Sequence, residues 1–515
     1  MARLRARDHA SLPCDRDAYV KLWNLITAVI IGLAVTVSVL TDTWLWLLAG
    51  VCGVVFVIFA IAHPKTALLV WLLAAPAGNT YATLDLPGGI PDLTFGRVAV
   101  GIVSVALLLR VILKGRPLKP FGALELGMIV LIGAMTADLM RSANPSSDFM
   151  QALDGPITPV LFFLAARNFC GRRVDLKQAV AILVLVGCYL ALHGGYQFAM
   201  YGRPNPTGED VSLDVRDGGQ RVNESHLGEG RAVGPFGSAV EYGSVAGISF
   251  LGALFLVLYQ RRSLLRAASV AALPLIGAAV VMSSTRSAWL GAYLATVLMA
   301  ALDRRRKILL AGIAAATVAG VVGATFVLPS SSSLEERASS LEPIRARLVM
   351  WELGLRIAVR RPVTGYGHGA PSRIAARKEL VAIGSRDAEF AAGQFHNTFL
   401  MALVETGIVG LAAYIAILVL IVRAAIQLRR RLADERDPAY HFAGLVLATT
   451  LVFVTQMMFI DTPPMLYLNG LCFLFAGLMF AQIDATAPDG KAYRLRATET
   501  TGGLTWGTTN SLRAS

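Results

Sequence analysis

Apolar runs of ~20 residues, the length that crosses a bilayer as a helix, recur along almost the whole chain between short polar connections. They lie at 22–40, 44–62, 66–82, 95–113, 124–140, 156–169, 179–200, 236–259, 264–283, 288–302, 308–328, 398–422, 442–460 and 465–483. This pattern predicts an all-α polytopic membrane protein with about 12–14 transmembrane helices spread over residues 22–483. The short runs at 66–82, 156–169 and 288–302 suit re-entrant or interfacial helices equally well. The run at 22–40 is longer than the core of a signal peptide and no small-x-small site follows it, so it is expected to stay as an anchor.

Two segments interrupt the rhythm, 201–235 and 329–396. Long connections in a compact membrane domain tend to carry function. Within the second, Leu341, Ile344, Leu348, Trp351, Leu355 and Ala358 form one helical stripe, with Arg345, Glu352 and Arg356 away from it and Ser340 and Pro343 placed to start the helix. An amphipathic helix of this kind lies along the bilayer surface or caps the helix bundle. Residues 1–21 form a basic, polar tail, and the Thr/Gly-rich tail at 484–515 is expected to be disordered.

Composition agrees with this picture: 55% of the residues are hydrophobic and 16% charged, a balance wrong for a soluble protein. The formal net charge of +13 adds an orientation. Connections at 110–119, 167–177, 261–266, 304–307 and 423–436 are rich in Arg and Lys, whereas those at 41–43, 79–92, 142–154 and 461–464 carry almost none. The positive-inside rule then places both termini in the cytoplasm. No basic block alternates with aromatics as nucleic-acid binding would require. The cysteines (Cys14, Cys52, Cys170, Cys188 and Cys472) show neither paired spacing nor companion histidines, so neither disulfides nor a zinc site is expected.

On this topology the unusual polar residues gather on the outer side: Arg231, Glu241, Arg286, Arg345, Arg347, His368, His396, Glu405 and Asp461. No run of carboxylates sits at mid-membrane, where ion-coupled transporters bind. Arg286 follows Ser283-Ser284-Thr285 at the start of an apolar helix; a guanidinium, hydroxyls and free backbone N–H groups together suit a phosphate. The plainer reading is an arginine snorkelling to the headgroups. Arg231 stands in Gly228-Glu229-Gly230-Arg231-Ala232-Val233-Gly234, where uncovered backbone can approach a phosphate or sugar, or where the arginine is merely exposed in a turn. His396 and Asn397 open the run at 398–422. An imidazole there suits a general base near neutral pH, or the pair caps the helix. If the run is one helix, His396, Leu400, Leu403, Gly407 and Gly410 share a face, and the two glycines admit a neighbouring helix. Glu405 then falls on the opposite face, as a buried structural partner.

His396-Asn397, nine residues, Gly407, two residues and Gly410 resemble the signature of the O-antigen ligase and O-antigen polymerase superfamily of membrane glycosyltransferases. Ser283 to Arg286 is similar to its Ser-x-x-Arg turn, Arg231 to its Gly-rich approach to a middle helix, and Arg345 to Trp351 with Pro362 to Gly369 to its Arg…Trp helix and Gly-x-Gly turn. The resemblance spans roughly 231–410. It implies a GT-C-like fold and an active site at the periplasmic face of the bacterial inner membrane. The donor it implies is an undecaprenyl-pyrophosphate-linked glycan, the acceptor a growing glycan, lipid A core or a protein hydroxyl. Arg231 and Arg286 would neutralise the pyrophosphate and His396 would activate the acceptor hydroxyl or hold the pyrophosphate. Arg347, Arg345, Asn397 and His368 would contact substrate. No cofactor is implied, and no metal is needed where arginines carry the phosphate charge and no Asp-x-Asp motif is present. Membrane lipids and polysaccharide export or assembly proteins are the other implied partners. A lipid-linked oligosaccharide flippase is the alternative of a different class, and a protein O-oligosaccharyltransferase the alternative within this one.

Overall fold

Backbone N–H and C=O groups inside a bilayer find no water and must pair within the chain, which leaves helices as the way for apolar segments such as these to cross. The computed structural model describes residues 54–55, 57–81, 83–84, 93–113, 115, 117–137, 149, 152–201, 216–217, 220–221, 232–260, 263–302, 342–367, 374–376, 378, 395–432, 437–462 and 465–486. The chain divides into 1–62 and 63–515, and the architecture below is that of the second unit.

In order, the helices are α1 (Pro64–Tyr81), α2 (Phe95–Ile112), α3 (Ala123–Thr136), α4 (Thr158–Phe169), α5 (Arg173–Tyr201), α6 (Ala239–Tyr259), α7 (Ser263–Met282), α8 (Arg286–Leu302), α9 (Glu342–Arg360), α10 (Thr398–Arg431), α11 (Pro438–Phe459) and α12 (Leu466–Ala485). The strands among the described residues are two antiparallel pairs of two residues each. The protein is therefore an all-α polytopic membrane protein. Among the described residues, seven helices, α2, α5, α6, α7, α10, α11 and α12, are long and apolar enough to cross, and α3 and α8 are apolar but shorter. The expected spans at 22–40 and 308–328, and most of that at 44–62, lie outside the described residues. The run at 156–169 becomes a π-helical turn (Leu153–Ile157) and the 12-residue α4, too short to cross alone.

Polar residues at the run ends decide where helices begin. Thr94 accepts from Arg97 N, Ser238 from Glu241 N, Asn397 from Leu400 N and Asp437 from Ala439 N, each satisfying a donor the first turn leaves open. α12, almost wholly buried, is the central helix. It packs along α4, and small residues let the two approach: a Cβ on Gly477 would meet the Phe163 backbone, and one on Gly470 the Trp71 ring. Trp71 lies against Phe162 and Tyr467, with ring centroids 3.9 and 5.3 Å away. Around this centre α6 packs on α7, α8 on α11, α3 on α10, and α9 on the start of α10.

The bundle has two unlike ends. At one, the Arg- and Lys-rich connections converge. Arg167 bridges Glu125 and Asp484, Arg173 pairs with Asp437 at 2.8 Å, and Lys65 pairs with Asp175. Arg429 donates to the Leu302 carbonyl at 2.9 Å. Helix ends assigned to one side by alternation of charge thus meet in space. The other end holds the starts of α6, α8, α10 and α12.

The outward stripe of α9 needs correction. Leu348 and Leu355 are 55% and 54% exposed, whereas Trp351 and Ala358 of the same stripe join Met350, Leu353 and Ile357 in packing on Phe395, Leu400 and Val404. Both faces of α9 are apolar, and the face that fits against α10 is the one where Gly354 admits Leu400.

Candidate functional site

At the start of α8 the chain turns back within three residues. Ser284 takes φ +46°, a left-handed conformation uncommon outside glycine. Ser283 donates through its hydroxyl to Val280 O at 2.7 Å and accepts from Thr285 N, and Thr285 donates to Ser283 O at 2.9 Å. Two neighbours grip the turn. Ala232 N donates to Met282 O at 3.0 Å. The buried amide of Gln456 on α11 accepts from the Ser287 hydroxyl and donates to the Ser287 carbonyl, both at 2.9 Å. Arg286 is thereby fixed as the first residue of α8. The strand of chain leading into this region, from Ala232 onward, is itself held by Gln197, which accepts from Val233 N and Gly234 N at 3.2 and 2.8 Å.

The head of α10 is built in the same manner. His396 takes φ +49°, so it stands outside the helix, and Asn397 is the N-cap, its side chain accepting from Leu400 N at 3.1 Å. The carboxylate of Asp461, between α11 and α12, accepts from His396 N at 3.2 Å and from Asn397 N at 3.1 Å. Beside it Thr398 donates to Ile460 O at 2.7 Å, accepts from Thr462 N at 2.9 Å and shares a hydrogen bond with the Thr462 hydroxyl.

These two heads meet through Arg347 on α9. Burial lowers the Arg347 pKa, and the charge of Arg286 lowers it further. Burial likewise lowers the His396 pKa, with the charge of Arg347 adding to it. Arg347 therefore links Arg286 and His396 in one electrostatic neighbourhood, and both burial and the Arg347 charge favour the neutral imidazole, which can accept a proton. Behind it, burial lifts the Asp461 carboxyl to about 6, against the pull of the backbone N–H donors, and the nearby Glu405 adds to the rise. Arg347 thus lies close enough to feel Arg286 and to act on His396, with the buried acidic residues Asp461 and Glu405 nearby.

α10 is not continuous. Gly407 takes φ +66° and breaks it. The turn after α9 fills the break: Tyr366 N donates to Val404 O and Gly367 N to Glu405 O, both at 2.9 Å, and Ile408 N donates to Pro362 O at 2.8 Å. Gly365 (φ +69°) and Gly407 sit backbone to backbone, where a Cβ on either would strike the other segment's carbonyl. The expectation that Gly407 and Gly410 admit a neighbouring helix is thus corrected. A turn, not a helix, reaches Gly407, and Thr406 of α10 itself covers Gly410. The single face through His396, Leu403 and Gly410 fails for the same reason, since the helix begins after His396 and is interrupted at Gly407.

Of the residues singled out from the sequence, His396, Arg286 and Arg347 come together and Asn397 caps α10. Arg345 falls in the first turn of α9, while Arg231 and His368 lie outside the described residues. Sequence reasoning missed Gln456, Thr398 and Thr462, and did not promote Asp461 or Glu405 to the site. The one signal was Asp461-Thr462-Pro463-Pro464, a polar knot between two strongly apolar runs.

The segment from the middle of α7 to the broken part of α10 carries the Arg286 turn, Arg347, the plugging turn and His396. Residues 270–415 match the family model described as O-antigen ligase. The resemblance to the O-antigen ligase and polymerase superfamily, drawn over roughly 231–410, holds, with Arg231 outside the matched segment. An exopolysaccharide production protein, ExoQ, of Rhizobium meliloti (strain 1021) is 33% identical over 139 residues, 26% of this chain. The match spans 30% of that relative's length. Gln456 and Asp461 fall beyond the family-matched segment, although they hold its two helix heads.

Proposed function

We propose that the protein is a membrane glycosyltransferase that moves glycan from an undecaprenyl-pyrophosphate-linked donor onto an acceptor hydroxyl. The observation that carries this reading is the convergence of Arg286, Arg347 and His396 at one end of the bundle. A glycan leaving a pyrophosphate needs positive charge where negative charge develops, and aimed guanidinium groups at a partly desolvated site supply it. Arg286 and Arg347 take that part, and Arg231, one residue before the anchored Ala232, is assigned to the same anion. His396 accepts the proton of the acceptor hydroxyl as the new bond to the anomeric carbon forms and the bond from that carbon to the pyrophosphate oxygen breaks. Glycan binding is assigned to Asn397, Arg345 and His368. With the charge supplied by arginines, the reaction needs no metal.

The Arg- and Lys-rich end is read as cytoplasmic by the positive-inside rule. Both termini then lie in the cytoplasm of a bacterial inner membrane, and the site opens to the periplasm. The name of the relative, an exopolysaccharide production protein, favours a growing polysaccharide as acceptor, making this chain a polymerase. Lipid A core as acceptor would make it a ligase.

The test compares wild type, His396→Ala and Arg286→Ala in a deletion strain at matched membrane levels. Both variants are expected to lose surface glycan while lipid-linked glycan accumulates. Accumulated single repeat units mark a polymerase and accumulated full-length chains a ligase. Normal surface glycan from both variants would sink the enzymatic reading and favour a flippase, which needs neither residue.

A further inference from the structure

The two helix heads that carry Arg286 and His396 come from distant parts of the sequence and make no hydrogen bond to each other among those described. What they share is α11. One turn from its C-terminus, Gln456 binds the hydroxyl and the carbonyl of Ser287, next to Arg286. At its C-terminus Ile460 O takes the Thr398 hydroxyl, and Asp461 takes the N–H groups of His396 and Asn397. Gln456, in the last turn of α11, and Asp461, two residues past its end, are five residues apart, both buried. Each grips backbone beside a reactive side chain without binding that side chain itself in the hydrogen bonds described. His396 is held in a left-handed conformation that a histidine seldom adopts unless its surroundings impose it.

We propose that Gln456 and Asp461 are positioning residues, and that the end of α11 sets the distance and angle between the anion-binding Arg286 and the proton-accepting His396. The inference rests on the glycosyltransferase reading, but it assigns roles to residues outside the family-matched segment. Asp461 acts on the chemical step, because it orients His396. Gln456 acts on donor binding, because it orients Arg286. Asp461 is not itself the base: its oxygens are engaged by backbone N–H groups.

The test uses the full chain in detergent or nanodiscs with a lipid-linked glycan donor, measuring transfer by wild type, Asp461→Asn, Asp461→Glu and Gln456→Met. Asp461→Asn keeps the shape but presents one carbonyl oxygen to two N–H groups. It is expected to lower kcat on the order of tenfold to a hundredfold, as misplacement of a reacting group does, with the donor KM unchanged. Asp461→Glu restores the charge one methylene out of place and is expected not to rescue. Gln456→Met is expected to raise the donor KM with a smaller effect on kcat. A purely structural role would move kcat and KM together in both variants, and that result overturns the inference, as do full rescue by Asp461→Glu or wild-type kinetics in Asp461→Asn. Should Asp461→Asn fail to reach the membrane, Gln456→Met alone decides, by whether KM or both constants change. A wild-type protein that transfers no glycan from the donor refutes the glycosyltransferase reading instead.

Discussion

Replacing Gly365 with alanine probes the joint between the α9 turn and α10 at its tightest point. Gly365 sits at φ +69°, where an L-residue costs about 1–2 kcal/mol more than glycine. The added Cβ would fall on the carbonyl of Glu405, a backbone group that cannot swing aside as a side chain would. The turn must therefore back out, taking with it the bonds from Tyr366 N to Val404 O, from Gly367 N to Glu405 O and from Ile408 N to Pro362 O. At about 1 kcal/mol net for each bond, the sum with the backbone term is about 4–5 kcal/mol. It grows if Val404 and Glu405 are left without partners at a site with little water. That is a large part of a typical folding free energy, yet it falls on one joint, so the bundle should insert while the site opens. The assay is thermal unfolding of the purified protein together with glycan transfer. The expected result is a Tm lower by roughly 5 °C or more and loss of transfer. Gly407→Ala should behave alike, because its Cβ would strike Val363 from the other side. The double variant should cost little more than either single one, since both undo the same contact. Gly101→Ala, on α2 with open space around it, is the control and should be neutral or slightly stabilising. A Gly365→Ala protein with wild-type Tm and transfer would refute the plugged-helix account.

The other predictions concern charge. The positive charge of Arg347 disfavours protonation of His396, so Arg347→Ala should raise the histidine pKa; the acid limb of the transfer rate, which marks loss of the neutral imidazole, should then move to higher pH, and a limb that stays or moves down contradicts the assigned neighbourhood. Arg167→Met should strip two carboxylates, Glu125 and Asp484, of their shared buried partner and cost about 3–5 kcal/mol, read as a sharp fall in protein recovered from the membrane; normal yield and Tm would show that the trio adds nothing to the fold.

How much of this was legible in the sequence differs from element to element. The described apolar runs were legible as helices, because the bilayer forces long apolar runs into that form. That Arg286 and His396 both lie near Arg347 was legible only through resemblance, since nothing in the spacing of residues so far apart fixes their distance. The break at Gly407 was not legible. A glycine that bends a helix and a glycine that lets a neighbour close in look alike in sequence, and the carbonyls freed here are taken by backbone donors of Tyr366 and Gly367, whose side chains have no part in it. α9 misled for another reason: with Leu, Val or Ile on both faces, periodicity finds two stripes, and only the steric gap at Gly354 selects the buried one. Asp461 stood out as an outer-side polar residue but could not be tied to His396, because its partners are N–H groups, which every residue but proline carries.

Ser284 and His396 link the strain in this structure to its proposed chemistry. Each takes a left-handed conformation just ahead of a long helix, at about 1–2 kcal/mol apiece, and each is offset by side chains that bind the surrounding backbone. A relaxed approach to α8 or α10 would need no such support, so what the reversals achieve is direction. They deliver Arg286 as the first residue of α8 and leave the His396 imidazole off the axis of α10, free of that helix's hydrogen bonding. On the proposed reading, the positive ends of two helices and two guanidinium groups would serve one anion, with the His396 imidazole beside it. On the glycosyltransferase reading, that anion is the pyrophosphate, and the charge around it does two tasks at once: it stabilises the leaving group and holds His396 unprotonated until an acceptor hydroxyl gives up its proton.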